Sequence, residues 1–112
     1  MSNFNLEDLL RKILVSAQNY PRAIGYQKLT VDGTAIGFTI PTGATVALCE
    51  LESSATGIAA RYLETGGTPT TTDGIGRSNT DAFEVLGSGN IANFKIVQAQ
   101  AGTHTLHIVY YA

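Results

Sequence analysis

Tryptophan is absent from the sequence, cysteine and methionine occur once each, and charged residues make up only 14% of the chain. Each shortage removes a class of function. A single cysteine, Cys49, excludes an intrachain disulfide; inside the apolar run TVALCEL it reads as a small core side chain. Without tryptophan, the aromatic platform of a carbohydrate-binding module is poorly provided for. Seven lysines and arginines against nine aspartates and glutamates give a net charge of −2 and no basic stripe, so no nucleic-acid partner is expected. No apolar run approaches the roughly 18 residues of a membrane span, so no membrane partner is expected either. The start MSNFNLEDLL places acids where a signal peptide needs bases, which predicts a chain kept in a cytoplasm-like compartment unless a larger assembly carries it out.

What is abundant is glycine, threonine and alanine. Together with a charged share well under the usual quarter or so, they predict a surface of small neutral groups, suited to packing against copies of itself or a larger body. The length of 112 residues fits one domain. Its first part is helical: Asn5 is placed to cap a helix, Glu7 and Asp8 sit in its first turn, and Leu6, Leu9, Leu10, Ile13, Leu14 and Ala17 recur at a spacing of three and four. Pro21 ends it. This apolar stripe either packs on the domain's own sheet or reaches to a neighbouring subunit, as a terminal helix on a short Pro-containing joint is readily exchanged between protomers. We therefore expect a helical arm over residues 1–22 and a β-sandwich domain over residues 23–112.

From Ala23 onward the period switches to two. Strands are expected over 24–31, 35–40, 45–53 and 58–63, then over 82–86, 94–99 and the closing HTLHIVYY, with an Asp32-Gly33 hairpin after the first and a break at Gly87 to Asn90. In the third of these, Val46 and Leu48 face one way and Ala47, Cys49 and Leu51 the other; in the fourth, Ile58, Ala60 and Tyr62 oppose Ala59, Arg61 and Leu63. Short strands at this spacing describe a sandwich or barrel rather than βαβ units. The aromatic last strand is expected to be central, with Tyr62, Tyr110 and Tyr111 in or against the core. Between the fourth and fifth strands lies the loop ending at Gly76, in which Thr68, Pro69 and the threonines after them offer hydroxyls and almost no charge.

No catalytic constellation emerges. His104 and His107 are three apart on a strand, so they face opposite ways and share no metal ion; both read as partly exposed strand positions. Glu50 and Glu52 point to one side and read as a solvated edge rather than a glycosidase pair. No serine or threonine sits in a nucleophile elbow, and no glycine run has the placement of a dinucleotide loop. No enzymatic activity, cofactor or metal is expected. Arg61, the only cation of its strand, either pairs with an acid across the sheet, anchors backbone carbonyls of the threonine loop, or meets a partner's carboxylate.

The segments Arg61-Tyr62, Thr65-Gly66-Gly67-Thr68-Pro69-Thr70 and Gly74, then Ile91 to Ile96 and Leu106 to Tyr111, resemble those of small virion proteins of tailed bacteriophages. The likeness runs from about Ala44 to Ala112 and leaves the helix outside. It implies an all-β, antiparallel β-sandwich, jelly-roll-like, beside the one N-terminal amphipathic helix. It further implies a non-enzymatic place on a capsid or elsewhere in the virion, the chain being made in the host cytoplasm. The leading expectation is a capsid decoration or cement protein, homo-oligomeric, bound to the major capsid protein or other virion proteins. Its partner-binding residues would be Leu6, Leu9, Leu10, Ile13, Leu14, Arg61, Thr68 and Pro69. A head-fibre, tail or baseplate component, or a carbohydrate-binding module, is the alternative.

Overall fold

The computed structural model describes residues 6–10 and 21–112. Residues 6–10 are helical. The remainder forms seven strands: β1 (Ala23–Val31), β2 (Val46–Ser53), β3 (Ile58–Leu63), β4 (Ile75–Ser78), β5 (Ala82–Leu86), β6 (Lys95–Gln98) and β7 (His104–Tyr111), with one short helix, Ser88–Asn93, between β5 and β6. Two antiparallel sheets result, in the orders β1-β7-β2-β5 and β4-β3-β6. As its aromatic run predicts, β7 is interior, pairing with β1 from Ala23↔Tyr111 to Val31↔His104 and with β2 from Val46↔Tyr111 to Ser53↔His104.

Alternation decides which residues meet between the sheets. Leu29 and Val31, Ala47, Cys49 and Leu51, Phe83 and Val85, and Leu106, Ile108 and Tyr110 enter the core from the four-stranded sheet, while Ala59, Ala60, Tyr62 and Ile96 enter from the other. Aromatic rings join the two: Tyr62 stacks on Phe83 at 4.5 Å and Phe94 on Phe38 at 4.0 Å between centroids. The Tyr110 hydroxyl donates to Gln27 Oε1 at 2.5 Å, which satisfies the one polar atom of a ring that is 1% exposed.

Several segments depart from the pattern. The expected strand over 35–40 is a single bridge, Ile36↔Ile96. The Asp-Gly hairpin fails because Gly33 does not take the positive φ that a tight hairpin requires. Instead, Asp32 Oδ1 accepts from Thr34 N at 2.9 Å and the chain crosses to the other sheet, passing so close to Phe94 O that a Cβ on Gly37 would lie 2.9 Å from it. The loop after β3 ends at Gly74 rather than Gly76, since Ile75–Ser78 pairs with β3. Gly87 to Asn90 is no simple break: the chain turns helical at Ser88, burying Ile91, and β6 starts at Lys95. A register shift between Ile58 and Ala60 lets both Ala59 and Ala60 enter the core, so the strict alternation expected there does not hold. Nor is His104 partly exposed. At 1% exposure its imidazole lies 2.7 Å from Ser53 Oγ and donates from Nε2 to Gln100 O at 2.8 Å.

Candidate functional site

Because Ala60 and Tyr62 belong to the core, Arg61 between them leaves on the outer face of the three-stranded sheet. There its Nε donates to Thr71 O at 3.0 Å and Nη1 to Gly74 O at 3.1 Å. Of the partners open to it, the loop carbonyls are the ones it takes. The loop is tied internally as well: Thr70 Oγ1 accepts from Asp73 N at 3.0 Å, and Thr70 N donates to Asp73 O at 2.9 Å. Gly74 adopts φ +126°, and a Cβ there would come within 3.2 Å of both Arg61 Cβ and Pro69 Cβ, so only glycine fits under the clamp. Pro69 is buried beneath this structure, and Thr68 is exposed beside Gly66 and Gly67. The outcome is a pre-formed, nearly uncharged loop presenting hydroxyls.

The helical segment lies on the other side of the molecule. Leu9 is buried with Val46 and Leu48, which alternate with core residues of β2 and so face outward from the four-stranded sheet; Leu10 and Tyr111 pack around them. Leu6 remains 48% exposed. Ile13 and Leu14 lie outside the described residues. Of the two roles open to the stripe, packing on the domain's own sheet is the one seen at Leu9. The helix and the threonine loop are thus not brought together; they occupy opposite outer faces.

Along the same outer face of the four-stranded sheet, the register lines up Lys28, His107, Glu50 and Ala82 across β1, β7, β2 and β5. His107 reaches diagonally in both directions, with Nε2 3.0 Å from Glu52 Oε1 and Nδ1 2.7 Å from the Tyr26 hydroxyl. In the neutral ring that satisfies both contacts, Nε2–H donates to the carboxylate and Nδ1 accepts from the phenol. A cleft of about 490 Å³ opens beside this chain of contacts, lined by Glu50, Leu51, Glu52, Asn79, Thr80 and His107. Asn79 Oδ1 is held by Ser53 N at 2.9 Å, and Thr80, at φ 71°, donates its N–H to Leu51 O at 2.7 Å. A second, more apolar hollow of about 250 Å³ continues from Glu50 and His107 to Leu48, Val109 and Tyr111.

Sequence reasoning did not find this cleft. It read Glu50 and Glu52 as a solvated edge, whereas β2 lies between β7 and β5; the period of two did place both carboxylates on one face, but nothing local announced the register that brings Tyr26 and His107 to them. Arg77 was missed as well. It faces inward from β4, its guanidinium 5.2 Å from the Phe83 centroid and 5.7 Å from that of Tyr62, with Nη2 donating to the Tyr62 hydroxyl at 3.4 Å and no hydrogen-bond partner at Nε.

Two buried groups resist ionisation. Burial, and secondarily the charge of Glu84, pushes the Cys49 thiol far above its ordinary range; burial, and secondarily Cys49, does the same to the Tyr110 phenol. A thiol held neutral in a core is a packing residue, not a nucleophile. Among the described residues no cluster of three or more histidine, cysteine, aspartate or glutamate side chains could hold a metal ion, and no helix is long and apolar enough to cross a membrane. Comparison with protein-family models, with curated proteins and with solved structures found no match to this chain.

Proposed function

We propose that the chain is a non-enzymatic structural protein of a tailed-bacteriophage virion, acting as a capsid decoration subunit that bridges major capsid subunits. The observation that carries this reading is the placement of its two contact elements. The clamped threonine loop stands on the outer face of one sheet and the apolar helical segment on the outer face of the other. A body with contact elements on two opposed faces is suited to joining neighbours, and many weak copies on one particle add up through avidity.

The strand pairing supports the finer architecture that goes with it. Counting the Ile36 bridge as one reduced strand gives eight. The first then pairs with the last (β1 with β7), the second with the seventh (Ile36 with β6), the third with the sixth (β2 with β5) and the fourth with the fifth (β3 with β4). Nested pairing of this kind is what a long antiparallel hairpin rolled up on itself produces, so we assign a jelly roll, an architecture used in viral capsids as well as in lectins and cupins. Fold analogy alone names no function; the resemblance of the Arg61 to Gly74 segment to phage virion proteins supplies the class.

Co-sedimentation of the purified protein with empty capsids, together with its mass in solution, tests the reading. Saturable binding at many copies per particle is expected. Absence of binding from a folded, stable oligomer would refute the decoration role and leave a fibre, tail or baseplate position.

A further inference from the structure

The two hollows over the outer face of the four-stranded sheet share Glu50 and His107 in their walls, so an apolar half, walled also by Leu6, lies next to an acidic half. We propose that this groove docks an extended segment of a partner polypeptide, one carrying an apolar side chain and, two residues on, an arginine or lysine. The inference rests on the structural-protein reading and names the chemistry of one contact it would make.

Charge complementarity argues for the occupant. Glu50 and Glu52 are exposed on the groove floor, Glu84 stands on the same outer face, and the one cation in the row, Lys28, lies on the far side of His107. The His107 ring bridges Tyr26 and one oxygen of the solvent-exposed Glu52 carboxylate, which keeps that carboxylate on the His107 side of the groove. Ala82, opposite Glu50, is too small to cover that carboxylate. Leu48 is covered by the chain's own Leu9, so the open apolar surface is Val109, beside Leu6 and Tyr111. Val109 and His107 are two residues apart on β7, a distance of about 7 Å, which is the spacing of successive same-face side chains in any extended chain. A segment lying along β7 therefore places an apolar group over Val109 while its next same-face side chain reaches His107, with Glu50 and Glu52 beside it. An arginine there forms paired, charge-assisted hydrogen bonds.

The test is titration of the ¹⁵N-labelled full chain with acetyl-Leu-Ala-Arg-amide, with acetyl-Leu-Ala-Glu-amide and galactose as comparisons. Saturable shifts at the amides of Glu50, Glu52, Asn79, Thr80 and His107 are expected with the arginine peptide alone, weakened about tenfold or more in Glu50→Gln/Glu52→Gln. Equal shifts with the glutamate peptide, or shifts with galactose only, would overturn the proposal. So would no response in the wild-type chain. If the response then appeared in Arg11→Gln/Lys12→Gln, the groove would be filled by the chain's own residues 11–20 rather than by a partner. Because the titration contains no capsid, its failure is separable from a failure of co-sedimentation.

Discussion

Replacing Arg61 by alanine isolates the clamp that shapes the threonine loop. The side chain makes two charge-assisted hydrogen bonds to backbone carbonyls, one exposed at Thr71 and one part-buried at Gly74. Bonds of this type are worth about 1.5 to 3 kcal/mol each when shielded and much less in water, so the pair contributes about 2 kcal/mol to holding the loop closed. The effect is local, since β3 keeps its pairing with β4 and β6 through backbone groups that alanine leaves intact. Amide exchange is the assay. The Thr70 N–H, bonded to Asp73 O at 2.9 Å, should exchange about thirtyfold faster in Arg61→Ala, while the amide of Leu51, bonded to Asp81 O, should change little. Arg61→Lys should fall between the two, because a single ammonium does not span both carbonyls as the planar guanidinium does. If Thr70 exchange were unchanged while global stability fell, Arg61 would be a support of the sheet rather than a clamp on the loop.

Alkaline pH should unfold the protein through Cys49 and Tyr110. Both pKa values are raised in the fold, so the stability they contribute is complete below the ordinary thiol range near 8.5 and is lost as pH climbs toward the folded values. Urea unfolding under reducing conditions at pH 10.5 should show about 2 to 3 kcal/mol less stability than at pH 8, and Cys49→Ala should lose most of that dependence; an unchanged slope in the variant would acquit the thiol. Leu9→Ser should cost about 2 to 4 kcal/mol by denaturant titration, given a side chain 7% exposed against Val46 and Leu48, and a loss under 0.5 kcal/mol would show that the helical segment does not hold to its own sheet. Thr80→Gly relieves a β-branched residue at φ 71°, and thermal melting should show a gain of about 0.5 to 1 kcal/mol after the flexibility of glycine is counted.

How far the sequence revealed all this depended on whether a feature was encoded locally. β5 and β7 were legible because alternating burial imposes a period of two; β2 and β3 were legible to within a residue from their apolar runs, although both faces of β2 are covered from Val46 to Cys49 and the register shift in β3 breaks its alternation, and the pattern of Ala47, Cys49 and Leu51 against Val46 and Leu48 separated the inner face from the outer. β4 was hidden. Its four residues are too few for a period, and it pairs with β3 through backbone groups that leave no compositional trace. The short helix Ser88–Asn93 was hidden for the opposite reason: its glycine, serine and asparagine read as a turn, while the residue that commits it, Ile91, is a single buried side chain.

The candidate sites divide along the same line. Arg61 could be recognised from sequence as a residue in search of acceptors, with an acid across the sheet, the loop carbonyls and a partner's carboxylate all open to it, and the fold decides for the carbonyls. The groove of Glu50, Glu52, His107 and Tyr26 could not, because it exists only through register: Tyr26 and His107 are 81 residues apart, and a slip of one residue between β1 and β7 would turn one of them to the other face. What sets that register is the core on the other side of the sheet, where Leu29 and Val31 must meet beside Leu106 and Ile108. The same demand explains the failed hairpin at Asp32-Gly33. An Asp-Gly pair describes how tightly a backbone can turn, not which sheet receives the chain afterwards. Here Ile36 exchanges backbone hydrogen bonds with Ile96, and Phe38 stacks on Phe94 at the core. These contacts override the local turn signal, and with the hairpin lost, β1 is left to pair with the last strand of the chain.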